Sequence, residues 1–364
     1  MGTRDFLAGA ARAARRLPLP GERVTGIVES ARGYVTEELG EPDRFVPIVD
    51  AERFQGRPGR SMGEEEELMA KVWTHGDWPA WRVSLPGGRV VGDVPLVLTS
   101  DHRALRESAF DESHLRSNPA MRSRLPSARR TFERLLVLVG PWAGSWYHWL
   151  LDLLPRAALL PLDEPDAEVL VPASLSPVQD DSLTLAGVPP DRRRPYSGGQ
   201  ISADELVFPS FVAATGNPPR WALRWLRERL APPPERNDRR LYVSRADAVV
   251  RRVVNEAELM PVLRERGFET FLGSQLDLEG QFRAFAEAEV VVGPHGAGLA
   301  NVCASTDATV IELHRGDAVN RCFFAQANAQ QLEYWYLLCE PAKRADLRVD
   351  LAQLERTLDA AGVT

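Results

Sequence analysis

Three groups of residues in this 364-residue chain have types and spacings that suit chemistry. The first is VVVGPHGAGLAN, residues 290–301, where an apolar strand runs into Gly293 and Pro294 and then His295, Gly296, Ala297 and Gly298. Small residues let a ligand approach the backbone, and free N–H groups at a helix start attract an anion such as a diphosphate. The turn is not G-x-G-x-x-G. The acidic residue that ends the next strand, Glu312, also comes sooner than the roughly 20-residue offset of a dinucleotide site. A tight strand–helix turn with packing glycines is the competing reading.

The second group is LYVSRADAVVRRVVNEAEL, residues 241–259. Arg245 falls just past the carboxyl end of a strand, where open α/β sheets place ligands. Arg251, Arg252 and Asn255 follow, and guanidinium groups hold phosphate through charged, bidentate hydrogen bonds. A solvated loop is the alternative for Arg251 and Arg252. Glu312 in TVIEL is also at a strand end, where a carboxylate accepts ribose hydroxyls or else pairs with an arginine.

The third group is SWYHWLLDLLPRAALL, residues 145–160. His148 and Asp152 are spaced i, i+4 and share a helix face. Such a pair supplies a general base for a hydroxyl, Asp152 being the first candidate and His148 the second. Trp142, Trp146, Tyr147 and Trp149 offer a wall on which a sugar ring stacks. A structural hydrogen bond beside a core of Trp149, Leu150 and Leu153 competes with that reading.

Other chemistries are weakly represented. His75, His102, His114 and His314 form no HxxxH or HExxH pattern, and there is no Walker A loop or G-x-S-x-G elbow. The three cysteines, Cys303, Cys322 and Cys339, form no CxxC and are too few for a disulfide framework. No two aspartates are spaced Asp-x-Asp. With 44 Lys+Arg against 51 Asp+Glu, the net charge of −7 argues against a nucleic-acid partner. No apolar run reaches the ~18 residues of a membrane span. The N-terminal Arg12, Arg15 and Arg16 beside Ala and Leu suggest a basic amphipathic helix, either solvated or in peripheral contact with anionic lipid.

These groups need strands and helices to position them. RLLVLVGPW (134–142), EVLVP (168–172) and ELVFPSFVA (205–213) read as strands, with helices over 145–161, kinked at Pro155, and 176–188. Short strands are expected between Val72 and Thr99. Beyond the Pro-rich stretch, RRLYVSR, FETFL, EVVVGP and TVIEL alternate with helical segments, the signature of βαβ units on a parallel sheet. The expected organisation is an N-terminal extension, helical or irregular, over 1–70 and an α/β domain over 71–213. A linker over 214–238 then leads to a second α/β domain over 239–364. The fold class is α/β, with two Rossmann-like halves facing a cleft.

In this order the groups resemble glycosyltransferase family 61, whose bacterial members are often capsular polysaccharide biosynthesis proteins. The resemblance rests on YHWLLDLLPR (147–156), YVSRADAVVRRVVNEAE (242–258), GFE (267–269), QFRAFAEAEVVVGPHGAGLAN (281–301) and VIEL (310–313). The chain departs from the family pattern at CASTDAT (303–309) and at Ser145-Trp146. The resemblance implies a GT-B architecture and an inverting, cytoplasmic hexosyl- or pentosyltransferase of polysaccharide biosynthesis. No cofactor and no metal is implied. The co-substrate is a nucleotide diphospho-sugar, with a UDP-sugar expected, and the acceptor is a saccharide or glycoconjugate. Donor contacts fall on Arg245, Arg252, Asn255, His295, Gly296, Ala297 and Gly298, with Glu312 added from its strand-end position. The base is Asp152 or His148, supplied from the N-terminal half, with interdomain closure bringing the halves together. A protein that binds nucleotide sugar without turnover is the alternative.

Overall fold

The computed structural model describes residues 22–364 except 72, 73, 77, 126, 128 and 129. The basic segment carrying Arg12, Arg15 and Arg16 lies outside the described residues. Two large sheets divide the chain. The second is built from strands Arg239–Val243, Phe268–Phe271, Ala288–Pro294, Thr309–Arg315 and Glu333–Pro341, all parallel, with Leu347–Arg348 antiparallel at one edge. Numbered along the chain, the five parallel strands run 2-1-3-4-5 across the sheet. Val and Ile fill these strands because both faces are covered by helices. On one face Glu256–Glu265 and Leu351–Ala360 bury Leu259, Leu263, Leu354 and Leu358. On the other, Leu278–Ala286 and Cys322–Gln330 bury Phe282, Phe285 and Phe324.

In this strand order, connections leave in opposite directions from strands 1 and 3. The crevice between their carboxyl ends is where doubly wound sheets bind ligands. Here those ends are Val243, followed by Arg245, and Pro294, followed by the His295–Gly298 turn.

The first sheet has ten strands and is mixed. Strands Thr131–Val137, Glu168–Pro172, Arg193–Tyr196 and Gln200–Pro209 are parallel to one another. Ala80–Pro86 and Arg89–Val91 pair antiparallel to the last of them. The sheet also takes in Gly26–Val28, beside Arg103–Leu105, and Phe45–Val49, beside Ala80–Pro86. The segment expected as an N-terminal extension thus adds two strands to this sheet, with short helical turns between them. Strands this short carry too little alternation to be read from sequence, and they are held through Val28, Tyr34 and Val35 in a common core with Val83 and Val97.

The segment after Trp142 is helical but not one α-helix. A single turn at Trp146–His148 passes into a π-helical stretch, Trp149–Leu153, and then into a 3₁₀ stretch, Leu154–Leu159. Pro155 falls in the first turn of the 3₁₀ stretch, where its missing N–H costs little. Trp149, Leu150, Leu151 and Leu154 are fully buried here. They belong to one apolar cluster that continues through Leu223, Leu226 and Leu230 to Leu299, Phe285 and Phe324 in the other half. Helix Arg220–Leu230, inside the stretch expected as a linker, thus packs as a wedge shared by both sheets. The space between the halves is bounded by this shared core.

Arg156 is fully buried in this region. Its guanidinium donates to the carbonyls of Val139 (2.9 Å), Pro209 (2.8 Å) and Ser210 (3.2 Å), tying two strand ends together. Burial without a carboxylate pushes its pKa down to about 9. Replacing it with methionine strands three buried carbonyls, so Arg156→Met is expected to lower unfolding free energy by about 3 kcal/mol or more. Urea denaturation of the two proteins measures this, and unchanged stability would show the bonds to be dispensable.

Candidate functional site

A cleft of about 550 Å³ opens at the carboxyl ends of the second sheet. One wall is Val243, Ser244, Arg245 and the Gly296–Gly298 turn; the facing wall is Gly144, Trp146 and Gln179 of the first half. A relay of amides fixes the two walls. Trp146 Nε1 donates to Asn301 Oδ1 at 2.6 Å, Asn301 Nδ2 to Gln281 Oε1 at 3.1 Å, and Gln281 Nε2 to the carbonyls of Gly273 and Leu276.

The glycines are needed for close approach. A Cβ on Gly296 would lie 2.0 Å from Arg245 Nη1, so the guanidinium rests directly on that backbone. On Gly293 it would meet Val243 Cβ at 2.9 Å, so that glycine serves strand packing. The eight residues Ala297–Ala304 form a 3₁₀-helix whose first N–H groups have no partner inside it.

Arg245 hydrogen-bonds only through Nε and Nη2 to the Val250 carbonyl, and no carboxylate pairs with it among the described residues. Burial and the neighbouring Arg251 guanidinium push its pKa below the ordinary arginine value, while Asp247 and Asp346 pull the other way. Two adjacent guanidiniums with their charge so little compensated make a site for an anion.

A second cavity of about 260 Å³ shares Gly296 and Ala297 with the cleft. His148, Tyr147 and Thr215 line it from one side, and His295, Arg251 and Phe323 from the other. Each histidine is backed by a carboxylate. His148 Nδ1 lies 2.7 Å from Asp152 Oδ2, which also accepts from Thr215 Oγ1 at 2.7 Å. His295 Nδ1 lies 2.5 Å from Glu312 Oε1, whose other oxygen accepts from Tyr334 Oη at 2.6 Å. With both Nδ1 atoms held by carboxylates, Nε2 is the ring nitrogen left to act at the cavity.

Several expected residues therefore take other positions. Glu312 is fully buried with both oxygens engaged, so it orients His295 and does not reach a ribose. Burial alone would raise its pKa, but the His314 and His295 rings more than offset that and hold the carboxyl well below its ordinary range. Asp152 sits behind His148 and does not line this cavity, whereas His148 does. Arg252 is committed to Asp346, with Nη2 3.1 Å from Oδ2, and Asn255 exchanges two bonds with the backbone of Val349. Both fasten the segment 346–349 and line neither cavity. Arg251, expected with Arg252 as either phosphate ligand or solvated loop, is on the wall instead, with its backbone at φ +61°. Thr215 and Tyr334 carried no signal in the sequence because their partners Asp152 and Glu312 are more than 20 residues away.

His295, Glu312 and His314 each offer an atom within 4.8 Å of the others, as a metal site would require. The 2.5 Å between His295 Nδ1 and Glu312 Oε1 is a hydrogen-bond spacing. Two ligands on one tetrahedral ion with bonds of about 2.1 Å stand roughly 3.4 Å apart. Among the described residues, no helix is long and apolar enough to cross a membrane.

No curated protein matches the chain. A family model does, over the stretch that carries His148, Asp152, Arg245 and the 293–298 turn. Residues 146–311 match the model described as Glycosyltransferase 61, which supports glycosyltransferase family 61 as the family this chain resembles.

Proposed function

We propose that the protein is an inverting glycosyltransferase of GT-B type, acting without a metal in surface polysaccharide biosynthesis at the cytoplasmic side of the membrane. It moves a hexosyl or pentosyl unit from a nucleotide diphospho-sugar, with a UDP-sugar the expected donor, to a hydroxyl of a saccharide or glycoconjugate. The observation that carries this reading is the meeting of two unlike walls. Arginines with no carboxylate and a helix start face a histidine–carboxylate pair across connected cavities.

The division of labour follows from charge. The nucleotide occupies the 550 Å³ cleft, and its diphosphate lies against Arg245, Arg251 and the 296–298 turn. As the glycosidic bond to phosphate breaks, negative charge grows on the leaving oxygen. Groups already fixed in place stabilise that charge without reorganising. His295, held by Glu312, lines the cavity on the same side. The acceptor hydroxyl attacks from the opposite face, and its proton passes to Nε2 of His148. Asp152, held in turn by Thr215, fixes the orientation of that imidazole.

A thermal-shift panel of UDP-, GDP-, ADP- and dTDP-sugars, with and without EDTA, tests the donor side. Stabilisation by one donor class that survives the chelator is expected, and stabilisation that needs a divalent ion would overturn the metal-free mechanism. His148→Ala is expected to lower kcat by about 10²–10⁴-fold while the donor-induced shift persists; turnover near wild type removes the assignment. Gly296→Ala places a methyl where Arg245 Nη1 lies. It is expected to weaken donor binding about tenfold or more by calorimetry, with little change in melting temperature, because a flexible side chain moves aside.

A further inference from the structure

A third cavity, of about 490 Å³, lies outside the site just described, over the carboxyl ends of the first sheet. That volume is within the roughly 300–1,000 Å³ range of small-ligand sites. It is lined by Asp93, His114, Trp142, Ser174 and Ser197, and it meets the donor cleft at Gly144. We infer that this groove is a second sugar subsite, so that the acceptor is a saccharide of two or more units with a non-reacting unit stacked on Trp142. The inference rests on the transferase reading above and adds the acceptor's class to it.

Trp142 is the central observation. Its backbone stands at φ +56°, a region that bulky residues rarely adopt, and its side chain is 43% exposed. Such strain persists only where the surroundings impose it, and it concentrates at functional sites. The surroundings here are aromatic. Phe110 and His114 meet the indole edge-on, with centroids at 4.9 and 5.1 Å, and Phe110 is braced in turn by Phe211. Packing alone does not account for a tryptophan held open in a strained turn, when Trp149 nearby is fully buried.

The groove's chemistry selects its occupant. Its lining contains no Lys or Arg, so it does not suit a phosphate or a second nucleotide. The exposed Asp93, Ser174 and Ser197 accept and donate hydrogen bonds beside an aromatic surface, which is the combination a sugar ring needs. The Asp93 carboxylate lies over Gly198, where a Cβ would meet it at 2.0 Å, so the groove wall is shaped around that group.

Position then links the groove to the reaction. The indole of Trp142 packs against the His148 ring at 4.9 Å and 37°. A saccharide stacked on Trp142 therefore presents its neighbouring unit to His148, at the mouth of the 260 Å³ cavity. A monosaccharide reaching His148 leaves the groove empty and forgoes the stacking.

The experiment uses the full chain and the donor that gives the largest thermal shift. Glucose, galactose, mannose, xylose and N-acetylglucosamine are offered as monosaccharides and as oligomers of two to four units. Longer acceptors of one series are expected to have an acceptor KM about tenfold below that of the monosaccharide. Trp142→Ala is expected to abolish that length preference by raising KM for the longer acceptors, and Trp142→Phe to restore most of it. Three results would overturn the subsite: no length preference, equal losses for short and long acceptors in Trp142→Ala, or donor hydrolysis with no transfer to any saccharide. Absence of any donor-induced shift in the wild type would instead sink the transferase reading itself.

Discussion

Everything at the site depends on one packing constraint: a single buried apolar cluster runs from the first half into the second. Trp149, Leu150 and Leu154 on one side, Leu299, Phe285 and Phe324 on the other, and the helix Arg220–Leu230 between them exclude water as one unit. Interiors packed this way resist compression and transmit displacement. Because His148 precedes the buried Trp149 and the Gly296 turn precedes the buried Leu299, the same cluster sets the distance between the two walls of the cleft. The Trp146–Asn301 hydrogen bond sets the register. The two halves therefore meet through a shared core, with the cavity already formed between their walls.

An acidic chain keeps positive charge where its arginines have no carboxylate. The net charge of −7 sits beside many arginines already paired with carboxylates, among them Arg44, Arg134 and Arg239. Arg245 and Arg251 have no such pair among the described residues and crowd one another at the mouth of the second sheet. Arg252, one residue further on, shows the contrast: it is neutralised by Asp346 and becomes a fastening. Adjacent residues of one type thus divide between binding and structure according to whether a carboxylate is within reach. No composition count shows that division.

The legible part of the sequence was the part governed by local periodicity. The strands of the second sheet, their helices and the Gly-rich turn fall where apolar spacing and glycines indicate, because parallel strands buried on both faces read as continuous apolar runs. The i, i+4 pairing of His148 and Asp152 is also realised, at 2.7 Å, although the segment departs from α-helix at Trp149. What was not legible depends on contacts between distant parts of the chain. Glu312 looked like a ligand at a strand end, yet Tyr334 from the next strand and His295 from the previous one enclose it. Asn255 looked like a donor contact, yet Val349, 94 residues later, claims both ends of its amide. Residues 57–69 carried no motif, but Met69 is buried against Tyr334 and Arg60 pairs with the backbone of Tyr334 and Tyr336. The N-terminal chain therefore reaches the layer behind His295.

The two histidine–carboxylate pairs differ in a way that matches opposite tasks. Glu312 is wholly enclosed, and both its oxygens accept hydrogen bonds that favour the carboxylate, so it acts as a fixed negative charge behind His295. Asp152 is only partly buried and shares one oxygen between His148 and Thr215, so it orients His148 less rigidly and leaves the ring near solvent and near Trp142. An imidazole in that position can accept a proton from a hydroxyl and release it again to water between turnovers, a cycle a base must complete. Oδ2 of Asp152 is taken by His148 and Thr215, and His148 is the member of the pair that lines the cavity. The geometry places the ring in front of the carboxylate, between it and the cavity.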